Sequence, residues 1–128
     1  MATAVGPILI VEDDPDMREA VRLLIEAKGY RSVTAADGAE ALTALRSGPR
    51  PCLILLDLMM PVKDAIQFRT EQRQEPEIAD IPVVVMSART DSLTYVPLLG
   101  AVAHLRKPIL NIDELLNILR QYCNPEQP

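Results

Sequence analysis

Four strand-like runs in this chain each end at a side chain able to bind a cation or a phosphoryl group. Ile8-Leu9-Ile10-Val11 runs into Glu12, Asp13 and Asp14, and Leu53-Ile54-Leu55-Leu56 runs into Asp57. Ile81-Pro82-Val83-Val84-Val85-Met86 runs into Ser87, and Ala101 to Arg106 runs into Lys107. If the runs are parallel strands, their ends share one edge and the polar groups converge there. Several carboxylates in one cleft repel strongly. A hard divalent cation removes that repulsion, and Mg2+ takes one or two carboxylates while keeping other positions for water and phosphate. An ammonium and a hydroxyl beside it make a phosphoryl-binding set. Asp57 is then the nucleophile, a role Asp fills in aspartyl-phosphate chemistry. Each residue also has a plainer reading. Asp57 can cap a loop or helix, the acidic cluster can answer a helix macrodipole, Ser87 can be a loop hydroxyl and Lys107 a surface lysine. The plainer reading holds for Asp14, which precedes the helix-starting Pro15.

The elements between these positions set their geometry. The continuous apolar run Leu53–Leu56 predicts a strand buried on both faces, and in open α/β sheets ligands bind at the carboxyl ends of such strands. After Asp14, the residues Met17, Ala20, Val21, Leu24 and Ile25 fall on one helical face, and Gly29 stops the helix. Residues 31–35 read as a short edge strand. Asp37-Gly38 opens a second helix with Ala41, Leu42 and Leu45 inward. A third helix is expected from about Asp64 to Gln74, polar beyond Ile66 and Phe68 and so largely facing water. Thr90 to Gly100 carries Pro97 where another helix would be expected. A final helix starts at Asn111 or Asp113, with Ile112, Leu115, Leu116, Leu119 and Tyr122 on its apolar side. Five strands alternating with helices predict a doubly wound five-stranded parallel sheet. Residues 1–7 and 124–128 read as tails flanking one domain over 8–123.

Composition excludes several classes. Hydrophobic residues make up 48%, which suits one globular core. The net charge of −5, with one Phe, three Tyr and no Trp, lacks both the basic footprint and the stacking platforms of a nucleic-acid binder. No apolar run approaches the roughly 18 residues needed to span a bilayer, and the N-terminus lacks the pattern of a signal peptide. A cytoplasmic location with no membrane contact follows as an expectation. Cys52 and Cys123 form no metal or redox spacing and are expected to be reduced and buried as small apolar residues. No Gly-rich phosphate loop follows the first strand, which argues against nucleotide binding.

The acidic pair after the first strand, the Asp-x-x-x-Pro loop at Asp57–Pro61, Ser87-Ala88 and Lys107-Pro108 occur in order at strand ends. Together they resemble the receiver domain of two-component response regulators, over roughly Ile8 to Cys123. The resemblance implies a flavodoxin-like sheet in strand order 2-1-3-4-5. It implies that Asp57 accepts a phosphoryl group from a sensor histidine kinase or a histidine phosphotransfer protein. Asp13, Asp57 and the Met59 backbone carbonyl would bind Mg2+ directly, and Glu12 through a water. Lys107 would pair with the phosphoryl oxygens, and Ser87 would swing to bond one of them, with His104 at the second switch position. The family usually has a cis peptide at the Lys-Pro step, here Lys107-Pro108. Chemistry beyond self-phosphorylation and autodephosphorylation is not implied. The output partner is an unnamed protein, and the chain reads as a stand-alone receiver or a piece of a larger kinase, monomeric or dimerising on phosphorylation.

The sequence departs from the family at Ala65, where Gly is usual after Asp64, and at His104, where Tyr or Phe is usual. A single His makes 104 a partly exposed strand residue rather than a metal ligand or phosphoacceptor. The stretch from Ser87 to Lys107 is about two residues short. The altered stretch around Pro97, together with His104, motivates an alternative, a non-phosphorylated interaction module that keeps the fold. A small aspartyl-nucleophile phosphatase is a third possibility, disfavoured because Met59 stands where such enzymes carry a second Asp.

Overall fold

The computed structural model describes residues 6–57, 62–87, 99–106 and 112–123. In chain order they form β1 (Ile8–Val11), α1 (Pro15–Ala27), β2 (Ser32–Ala35), α2 (Gly38–Ser47), β3 (Leu53–Asp57), α3 (Val62–Gln74), β4 (Val83–Ser87), β5 (Ala103–Arg106) and α4 (Ile112–Cys123). The strands make one parallel sheet in the order β2-β1-β3-β4-β5. β3 therefore lies at the centre, and Leu53 to Asp57 are all buried. Burying each of its four aliphatic side chains contributes about 2 kcal/mol, which holds the strand's last residue rigidly in place.

Side chains alternate across this sheet and feed two cores. On one face Leu9, Val11, Ile54, Leu56, Val83 and Val85 pack against Ala41, Leu42 and Leu45 of α2 and Ala65 and Phe68 of α3. On the other, Ile8, Ile10, Leu53, Leu55, Val84 and Met86 meet Val21 and Ile25 of α1 and Leu115, Leu119 and Cys123 of α4. Local chemistry starts the first two helices. The Asp14 carboxylate accepts from the Asp16 N–H at 3.0 Å ahead of Pro15, and Asp37 accepts from the Glu40 N–H at 2.8 Å.

Element boundaries shift modestly from expectation. α3 begins at Val62, two residues earlier than its sequence suggests, and β4 and β5 each begin two residues later. Ala65, where the family usually has Gly, lies within α3 and is wholly buried, and among the described residues only glycines adopt positive φ. The polar second half of α3 does not simply face water. Arg69 and Gln72 are buried there, while Ile66 is exposed. The segment 88–98, with Pro97, lies outside the described residues.

The expectation for the cysteines is overturned. Cys52 and Cys123 form a disulfide, their Cα atoms 5.4 Å apart across a sequence separation of 71. Spacing along the chain carried no signal, because the crossovers lay the C-terminal end of α4 beside the start of β3, where Leu53 and Cys123 share one core. Cys123 is buried as expected, whereas Cys52 is half-buried.

Candidate functional site

The strand register brings the polar ends together. Val11 pairs with Leu56, so Glu12 and Asp57 follow on neighbouring strands. Asp57 pairs with Met86, which puts Ser87 one step further along the same edge, opposite Arg106. Glu12, Asp57 and Ser87 are wholly buried, and Asp13 is exposed at the rim. One carboxylate oxygen from each of Glu12, Asp13 and Asp57 lies within 4.8 Å of the others. Two unit charges at that separation repel by about 3 kcal/mol at an effective dielectric of about 20. Three acidic groups, two of them buried, thus converge at one point of the sheet edge, where a cation would relieve their repulsion.

The surroundings orient these groups. The Glu12 N–H donates to the Ala35 carbonyl at 3.0 Å, extending the β1–β2 ladder by one residue. The Arg18 guanidinium donates to the Glu12 carbonyl at 2.9 Å, tying the end of β1 to the first turns of α1. The Asp14 N–H approaches Glu12 Oε2 at 3.4 Å. Asp14 itself serves α1 as its N-cap, so its plainer reading holds and the acidic pair is Glu12 and Asp13. His104 lies on β5 beside Val85, partly exposed and two residues short of the position opposite Ser87. Met59, Lys107 and the Lys107-Pro108 peptide lie outside the described residues.

A family model described as the response regulator receiver domain matches residues 8–120. The chain belongs to the receiver domain family. This receiver is 36% identical over 103 residues to the DNA-binding response regulator MtrA of Mycolicibacterium smegmatis, covering 79% of this chain and 43% of that protein. It is 42% identical over 93 residues to the sensor histidine kinase TmoS of Ectopseudomonas mendocina, covering 73% of this chain and 9% of that protein. The receiver thus spans less than half the length of either relative. Among solved structures, the response regulator TrrA of Thermotoga maritima in complex with Mg(2+)-BeF superposes with a TM-score of 0.78 at 27% identity, covering 92% of this chain and 99% of that one. Sheet order and family agree with the flavodoxin-like fold that the strand-end motifs implied. No helix among the described residues is long and apolar enough to cross a membrane.

Sequence reasoning missed a second polar cluster, at the opposite end of the sheet. Arg69 is 6% exposed; its Nε donates to the Leu99 carbonyl at 2.7 Å and its Nη1 to Gln72 Oε1 at 2.6 Å. Gln72 passes the network on, donating to the carbonyls of Ile78 at 2.8 Å and Ile81 at 3.3 Å. Arg73 adds a bond to the Leu99 carbonyl at 2.8 Å. Burial, and secondarily the Arg73 charge, pull the Arg69 pKa down to about 10. Gly100 completes the cluster: its φ is +64°, and the Arg73 guanidinium occupies the space a Cβ would need. The signal available in sequence was the placement of Phe68, Arg69 and Gln72 on one helical face.

Proposed function

We propose that this receiver takes a phosphoryl group on Asp57 from the phosphohistidine of a sensor histidine kinase or a histidine phosphotransfer protein. An Asp57 carboxylate oxygen attacks phosphorus; the O–P bond forms as the N–P bond breaks, and the histidine departs with the electron pair and takes up a proton. The observation that carries this reading is the convergence of Glu12, Asp13 and Asp57 at one sheet edge, in a chain of the receiver family. The acidic set fits Mg2+, which favours hard oxygen donors. Asp13 and Asp57 would hold the ion with the Met59 carbonyl, and Glu12 would act through a water. Once bound, Mg2+ neutralises charge on the attacking carboxylate and the phosphoryl oxygens.

The chain's own residues do the rest. Burial of β3 fixes Asp57 so that the donor alone must be positioned. Lys107 pairs with the phosphoryl oxygens, and Ser87, at the end of β4, turns its hydroxyl to one of them. The modification adds roughly −2 charge at the site. Ser87 answers it by moving, and His104 on β5 follows, biasing a protein-binding face between two states. We take protein rather than nucleic acid as the direct partner, given the net charge of −5.

The test is incubation with Mg2+ and a small phosphodonor, followed by intact-mass measurement. Wild-type protein gains one phosphoryl group and Asp57→Asn gains none. No gain in the wild type would overturn the proposal and leave the constitutive interaction module as the account.

A further inference from the structure

We propose that Cys52 and Cys123 form a thiol–disulfide exchange site that fastens or frees the end of α4. Cys123 is the last residue of α4, 2% exposed in the core with Leu115 and Leu119, while Cys52 immediately precedes β3 and is half-buried. Their Cα atoms stand 5.4 Å apart, within the range a disulfide needs without backbone movement. The opened state has a place for both sulfurs. The Cys52 sulfur lies 3.8 Å from the Pro7 carbonyl oxygen, which a thiol there can use as acceptor. The Cys123 thiol rests among aliphatic side chains, where free cysteine is at home. Neither state strands a polar group, so the redox poise of a surrounding thiol/disulfide couple decides between them.

Cys52 is half-buried and Cys123 almost wholly enclosed, so the attack is assigned to the Cys52 sulfur. A thiolate of the couple bonds to it, and Cys123 leaves as a thiolate that takes up a proton. A second thiol then attacks the mixed disulfide. Two thiols of the couple are oxidised to one disulfide, and the protein disulfide is reduced to two thiols. The reverse reaction closes the bond. In the closed state α4 is covalently tied to the strand that ends at Asp57. In the open state its last turn keeps only the packing of Leu119, Tyr122 and Cys123, and helix ends fray. The consequence for partner binding rests on the function proposed above; the exchange chemistry and the anchoring do not.

The test compares the chain equilibrated in an oxidised and in a reduced glutathione buffer. Expected are two cysteines alkylated after reduction and none before, with the last-turn amides of α4 exchanging at least about tenfold faster in the reduced sample. Cys52→Ala should show the fast exchange in both buffers, and its mate Cys123→Ala is available if that variant folds poorly. Full alkylation of the native chain in the oxidised buffer, or equal α4 exchange in the two buffers, would overturn the proposal. Phosphodonor labelling is read in the same samples. Its absence in both redox states would strike the Asp57 reading and leave the thiol result standing.

Discussion

Asp57 gains its meaning from its neighbours. A cap needs only nearby backbone N–H groups, whereas Glu12 and Asp13 bring two further carboxylates to within 4.8 Å of it. Glu12, Asp57 and Ser87 were legible in sequence because each ends a buried apolar run. Arg69 was not legible, since arginine in a polar helix ordinarily reads as a solvated residue. Its burial depends on carbonyls at Leu99 and Gly100 that arrive from 30 and 31 residues away. Arg69→Ala is expected to destabilise the fold by about 2–3 kcal/mol in urea unfolding, because it leaves a void and takes a partner from the Gln72 amide. Arg69→Met should cost less, since it fills much of the void and removes the desolvated charge.

At the scale of elements, helix starts and buried strands were readable from caps and apolar runs, such as Asp14-Pro15 and Leu53–Leu56. What the local pattern withheld were long-range ties. One is the Arg46–Glu75 ion pair, at 2.6 Å, which joins α2 to the residue after α3. The Arg46 hydrogen bond is the main cause holding the Glu75 carboxyl below its usual 4.5. With the folded value depressed, the pair's contribution is present above pH 4.5 and is lost as pH falls through the folded value. Urea midpoints should therefore separate wild type from Glu75→Gln near neutrality and converge on acidification. The exposed pair makes that gap small, and salt should shrink it. The other tie is the disulfide. It closes a loop of roughly 70 residues, so opening it in Cys123→Ala should lower the stability of the oxidised protein by about 4 kcal/mol in the chain-entropy account. The same substitution under reducing conditions should cost far less.

At the scale of the whole molecule, the fold gathers the acidic cluster at one edge of the sheet and the disulfide at the other. β3 runs between them, from the residue after Cys52 to Asp57. Binding of Mg2+ to the folded state alone should stabilise it by about 1.4 kcal/mol at a free concentration ten times the dissociation constant. Thermal melts with and without a chelator check this, and Asp13→Asn should remove most of the shift. The central claim is that Asp57 becomes an acyl phosphate. The most direct measurement treats the phosphodonor-labelled protein with borohydride, which reduces an acyl phosphate to an alcohol, and maps the altered residue by peptide mass spectrometry. The account predicts reduction at position 57 alone, dependent on Mg2+ and on the phosphodonor. Reduction at any other carboxylate, or none at position 57 in protein that has gained a phosphoryl group, would contradict it.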